Sequence, residues 1–166
     1  MTRMSQAARA ALLVAVFVAA PAAAATSPWA TTTGAKLRLI APGGPAAADG
    51  TLRAGIEIVL EDGWKTYWRH PGEAGIPPEF DFSASGNLQR AEVRFPAPHR
   101  FVDGGGASAG YKGRVVLPVA VTPAVGALPV MLSVTAQFGV CREICIPATA
   151  TARVMVSAAT AADPEA

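Results

Sequence analysis

The chain has 166 residues, enough for one domain and short for two. Of its 14 Lys+Arg, Arg3 and Arg9 fall in the N-terminal leader argued below, and without them basic and acidic residues balance at 12 each, so there is no basic stripe for DNA or RNA. A 51% hydrophobic share excludes wholesale disorder, and two Cys exclude four-Cys zinc sites, iron–sulfur clusters and multi-bridge disulfide scaffolds. The 16 Gly and 14 Pro favour short strands and turns over a helical bundle.

Residues 1–25 read as a secretory signal. Arg3 and Arg9 supply the positive start, and Ala10 to Ala20 is apolar. Pro21 breaks that stretch, and Ala23-Ala24-Ala25 offers small residues for cleavage near Ala25. The apolar stretch is shorter than the roughly 20 residues a membrane helix needs, so no membrane span is expected after cleavage. Export implies an oxidising compartment in which two nearby Cys can pair.

Residues 26–34 form a polar, extended lead-in. Ala35 to Ala41 then alternates as a strand, with Leu37 and Leu39 inward. Leu52 to Leu60 alternates again, with Ile56, Ile58 and Leu60 inward and Glu57 outward. Asp62-Gly63 marks a tight turn into a return strand from Trp64 to Trp68. His70 to Pro78 is a Pro/Gly-rich loop. Glu79 to Phe82 and Ala91 to Phe95 are short strands, with Phe80, Phe82, Val93 and Phe95 inward. Pro96 to Gly110, with Gly104-Gly105-Gly106, reads as a long irregular loop, a type that often carries function. Arg114 to Thr122 is a strand in which Pro118 argues for an edge or a bulge. Val130 to Phe138 and Thr149 to Val156 complete the set, and residues 157–166 read as a disordered tail. Seven or eight strands spaced about ten residues apart predict an all-β antiparallel sandwich or barrel.

The chemistry lies in Cys141-Arg142-Glu143-Ile144-Cys145, between the last two strands. A three-residue turn brings such ends within bridging distance. By chain entropy a bridge closing so short a loop adds only about 2 kcal/mol, little for a structural staple. Arg142 favours a thiolate and Glu143 opposes one. Spacing alone leaves an inert hairpin disulfide and a redox pair both open. Metal binding by the pair is disfavoured, because two thiolates need further ligands and no His lies nearby in sequence.

Several segments, in order, resemble one family. They are Asp62-Gly63-Trp64-Lys65-Thr66-Tyr67-Trp68 with Pro71-Gly72 and Gly75-Ile76-Pro77, then Phe95-Pro96-Ala97-Pro98 with Phe101. Gly110-Tyr111-Lys112-Gly113, Val116-Leu117-Pro118-Val119 and Cys141-x-x-x-Cys145-Ile146-Pro147 follow. Over about residues 35–156 the chain resembles the N-terminal periplasmic domain of the thiol:disulfide interchange protein DsbD, in its suppressor-of-copper-sensitivity-like variety. The resemblance implies an immunoglobulin-like sandwich and a Cys141/Cys145 pair cycling between dithiol and disulfide. It implies a component of a protein-disulfide reductase in the periplasm, working without a cofactor. Its electron donor would be a membrane-embedded protein, here a separate chain, and its acceptors periplasmic disulfide proteins. Phe101 matches the cap-loop aromatic that shields the pair, and Trp64 and Tyr67 match aromatics near the site. Where the family carries acidic residues just before the cap aromatic, this chain has His99 and Arg100, which turns the local field positive.

Other candidates carry less. His99 could tune the thiols, although a solvated loop His is the plainer reading. A copper site from His70, His99, Met131 and the thiols lacks a sequence cluster to support it. Gly104 to Gly106 does not follow a phosphate-binding pattern, and no nucleophile elbow is present. Glu73, Glu79 and Asp81 read as ordinary loop and strand faces. The competing reading is a non-enzymatic immunoglobulin-like binding module with a structural disulfide, acting in metal (copper) handling.

Overall fold

Alternating apolar residues can bury only one face of a strand, so the stretches above need a second sheet to close a core. A computed structural model describes residues 24–72, 75–103, 106–126 and 128–158. Most of the expected signal, Glu73, Gly104, Gly105 and the tail from 159 lie outside the described residues.

Twelve strands run in chain order. They are β1 (Ala25–Thr26), β2 (Ala30–Thr32), β3 (Ala35–Ala41), β4 (Leu52–Leu60), β5 (Lys65–Tyr67) and β6 (Glu79–Asp81). After them come β7 (Leu88–Val93), β8 (His99–Asp103), β9 (Gly106–Lys112), β10 (Arg114–Pro123), β11 (Val130–Cys141) and β12 (Cys145–Val156). Among the described residues there is no helix, and hence none long and apolar enough to cross a membrane. The first sheet has the order β1-β3-β4-β10-β7, with β2 also on β3, and the second has β12-β11-β5-β9-β8, with β6 also on β11. All pairings are antiparallel. The fold is an all-β, immunoglobulin-like sandwich, as expected.

Leu37, Leu39, Ile56, Ile58, Leu117, Val121, Leu132, Val134 and Val140 fill the space between the sheets and are essentially fully buried. Each such side chain contributes about 1.5–3 kcal/mol by leaving water. Before β3, β1 pairs with its far end at Ile40 and Ala41, and β2 pairs with Ala35 to Leu37.

Four expectations change. The strand after Asp62-Gly63 does not return along β4, because β5 crosses to the second sheet and pairs with β11 and β9. Residues 96–110 are not an irregular loop, because β8 and β9 form a hairpin there. Ala107, Ser108, Ala109 and Gly110 are too small to show hydrophobic alternation, so pairing stays hidden in the sequence. Pro118 sits in an interior strand, opposite Gly55 of β4. Its carbonyl accepts from Arg94 N–H at 2.8 Å, but proline has no N–H to return, and the β7 ladder begins one residue later at Val119. Glu57 is not solvated. Its side chain is 4% exposed, with Arg38 Nε at 2.6 Å and Arg114 Nε at 2.5 Å. Burial pushes its carboxyl up, but the hydrogen bonds and charges of Arg114 and Arg38 outweigh this and hold it below the usual glutamate range.

Candidate functional site

The ladder between β11 and β12 runs without a break from Val130↔Val156 to its last pair, Cys141↔Cys145. Arg142 N–H donates to Ile144 C=O at 3.2 Å and closes the turn beyond. Directly opposite cysteines at a hairpin end lie within bonding reach, and here they form a disulfide with Cα atoms 4.1 Å apart. The two cysteines differ in access. Cys141 is 2% exposed, whereas Cys145 is exposed beside Ile144, itself 70% exposed.

Strand β5 docks on the same end of β11, pairing Cys141 with Lys65 and Val140 with Thr66. Thr66 Oγ1 donates to Gly139 C=O at 2.8 Å and fastens this short strand. Period-two alternation then puts Lys65 and Tyr67 on the cysteine face, while Val140 packs in the core. The Tyr67 hydroxyl donates to Cys141 Sγ at 3.0 Å and lies 3.2 Å from Cys145 Sγ. Two glycines make room for its ring. A Cβ on Gly139 would stand 3.2 Å from Tyr67 Cδ2 and 2.8 Å from Ile76 Cβ, and one on Gly75 would stand 2.9 Å from Tyr67 Cδ1. The phenol is thus wedged against the disulfide by packing on both edges.

The remaining aromatics surround this centre. Trp64 lies against Gly34, whose left-handed φ of +71° and missing Cβ both suit glycine, and Arg142 of the cysteine turn stacks on Trp64 at 5.4 Å. Phe101, on β8, meets two ammonium groups, Lys65 Nζ at 5.5 Å and Lys112 Nζ at 4.9 Å from its ring centre. His99 lies 6.5 Å from Phe101, ring to ring. The approach to β8 is fixed by Tyr111, whose hydroxyl donates to Pro96 C=O at 2.8 Å. Burial pushes this phenol up to about 12 against the opposing charge of Arg69, so it stays a protonated donor at neutral pH.

Of the residues singled out in the sequence, Tyr67 meets both sulfurs, Trp64 braces the cysteine turn, and Phe101 and His99 sit on the β8 side of the same sheet. His70 and His99 line one cleft of about 290 Å³. Met131 pairs with Met155 ten residues back along β11, about 33 Å from the cysteines. The copper ligands weighed above are therefore not together. Among the described residues no three His, Cys, Asp or Glu side chains converge as a metal-binding group. A cavity of about 660 Å³ lies on the first sheet beside Arg53, Arg90 and Pro118, away from the disulfide. Sequence reasoning missed Lys65, Lys112 and Gly139. The two-residue spacing of Lys65 and Tyr67 was a usable signal for one shared face, but the β5–β11 register was not legible.

Fold and site define the class: a disulfide-bearing immunoglobulin-like domain with its cystine at a hairpin end under a tyrosine. Residues 38–156 match the family described as thiol:disulfide interchange protein DsbD, N-terminal, and the chain belongs to that family. Among solved structures it is similar to the N-terminal periplasmic domain of ScsB from Proteus mirabilis, with 27% identity and a TM-score of 0.64 over 80% of this chain and 51% of that one. The chain thus spans about half the length of that relative. The reduced N-terminal domain of Neisseria meningitidis DsbD matches at 16% identity and a TM-score of 0.40, over 68% of this chain and 82% of that one, too low to carry an argument. No curated protein matches significantly.

Proposed function

We propose that this chain is a periplasmic thiol:disulfide exchange module that relays electrons through Cys141 and Cys145. The carrying observation is the cystine at an open hairpin end, with one cysteine exposed and a tyrosine hydroxyl in reach of both sulfurs. In the reduced state the accessible Cys145 attacks a partner disulfide as its thiolate. A mixed disulfide forms, and one partner sulfur leaves as a thiolate. The buried Cys141 then attacks Cys145 Sγ, which releases the second partner sulfur and re-forms the Cys141–Cys145 bond. Two electrons pass to the partner, and no cofactor takes part. Tyr67 donates a hydrogen bond to whichever sulfur carries the charge, and Phe101 shields the pair until a partner docks. A membrane-embedded donor protein restores the dithiol, and periplasmic disulfide proteins receive the electrons. Family membership and the periplasmic relative support this compartment and these partners.

The test is the reduction potential of the bridge, by glutathione titration with alkylation and mass readout. A value of about −180 to −270 mV belongs to exchange proteins. A value below about −300 mV marks a structural staple, and the binding-module reading would replace this one.

A further inference from the structure

The outer face of the second sheet continues from the cystine in rows. The cystine itself heads one row, in which Lys65 of β5 and Lys112 of β9 follow Cys141. Two residues along β11 and β12 stands the pair Gly139↔Pro147, and two further stands Gln137↔Thr149, to which β6 adds Glu79. Residues two apart on a strand share a face, so these positions lie on the face of the cysteines, about 6.6–6.8 Å apart from row to row. Gly139 brings no side chain, and Ile76 crosses the face above it, so close that a Cβ on Gly139 would stand 2.8 Å from Ile76 Cβ. Ile76 and Pro77 on one side and Pro147 and Thr149 on the other wall a groove of about 190 Å³, which ends at Gln137 and Glu79. All four wall residues are exposed. The near part of the groove is apolar, and its far end carries a carboxylate. Pro77 and Pro147 have fixed φ, so the walls are formed in advance and need little ordering when something binds.

We propose that this groove reads the partner protein: it takes an aliphatic side chain two residues away from the partner's reacting cysteine. The inference rests on the exchange reading and names the partner chemistry of the same site. The mixed disulfide itself supplies the occupant. When Cys145 is bonded to a partner sulfur, the two Cα atoms stand about 5.5–6 Å apart, so the partner chain must depart from directly above Cys145. Towards β5 the face is already filled by Tyr67 against the sulfurs and by the Phe101 ring over Lys65. Along β12 it is open. An extended segment running that way advances about 6.6–6.8 Å in two residues, which equals one row. Its second side chain therefore comes down over the Gly139–Pro147 row, between Ile76 and Pro147, while the residue between points away from the sheet. Two residues further the segment reaches Glu79, whose charge suits a cation there. The pattern is reacting cysteine, any residue, aliphatic residue, any residue, cation.

The experiment uses the full chain, reduced with dithiothreitol and freed of excess reductant. It is mixed with symmetric disulfides of three peptides: acetyl-Cys-Gly-Leu-Gly-Lys-amide, acetyl-Cys-Gly-Gly-Gly-Lys-amide and acetyl-Cys-Leu-Gly-Gly-Lys-amide, each also made in the reverse chain direction. Every turnover oxidises Cys141 and Cys145 to the bridge and releases two peptide thiols. Each rate is divided by that of the same probe with 2-mercaptoethanol, which removes the probes' own reactivity. In one chain direction, leucine two residues from cysteine should react about fivefold faster than glycine there, the effect of burying roughly half a leucine side chain. Leucine next to cysteine should give no such gain, because it faces away from the sheet. Thr149→Asp, which sets a carboxylate in the groove wall, should bring the fivefold ratio towards one, and Thr149→Val should keep it. A ratio near one in both chain directions overturns the groove and leaves the exchange reading standing. An equal gain from leucine at either position, or a gain that Thr149→Asp does not move, also overturns it. If none of the probes oxidises the dithiol, the exchange reading falls as well. The comparison of leucine positions on the unaltered protein decides the matter even if a Thr149 variant fails to fold.

Discussion

Replacing Tyr67 by Phe removes one oxygen and keeps the ring between Gly75 and Gly139. That oxygen stands 3.0 Å from Cys141 Sγ and 3.2 Å from Cys145 Sγ. A hydroxyl donating to a charged sulfur contributes about 1.5–3 kcal/mol, whereas disulfide sulfur is a weak acceptor. The hydroxyl therefore favours the reduced, thiolate-bearing state by about 1.5 kcal/mol at the low end of that range. For a two-electron couple this corresponds to about 30 mV, so Tyr67→Phe moves the potential about 30 mV more negative. Glutathione titration with alkylation reads this shift. A potential within about 10 mV of the unaltered protein, or one shifted upward, refutes the assignment of thiolate stabilisation to Tyr67.

Gly139→Ala drives a methyl into Ile76 and the Tyr67 ring. It should cost about 1–3 kcal/mol in urea unfolding and shift the potential in the same direction as Tyr67→Phe, with no further shift when the two are combined. Phe101→Ala should speed air oxidation of the reduced pair, and an unchanged rate disproves the capping role. Glu57→Gln should lose about 2 kcal/mol at pH 7, because two arginines lose their buried anion. Glu57 titrates lower in the folded than in the unfolded chain, so its contribution is present above about pH 4.3 and vanishes as pH falls through the folded value. The gap between the two proteins should therefore close in acid, and a gap constant from pH 7 to pH 3 would show that the carboxylate charge is not its source.

Much of the fold was legible because burial on one face imposes a period of two. Leu37 and Leu39, Ile56 and Ile58, and Val130, Leu132, Val134, Ala136 and Phe138 were placed inward from alternation alone, and they are buried. The cysteine spacing, between two stretches of strand alternation, likewise showed a pair at a hairpin end. What alternation cannot express is which strands become neighbours. The β8–β9 hairpin escaped because small residues carry no hydropathic signal, and Glu57 was read as solvated because its arginines lie 19 and 57 residues away in the chain. The site divides in the same way. Cys141 and Cys145 belong to one local hairpin and could be named from the sequence. Tyr67 reaches them from 74 and 78 residues away, and Lys65 and Lys112 join the row through β5 and β9, so their place depends on a register that long-range pairing alone sets. Local covalent spacing determined that the two cysteines meet. The order of strands in the second sheet decided what surrounds it, because side chains on one face of a sheet become neighbours through backbone pairing, whatever their distance along the chain.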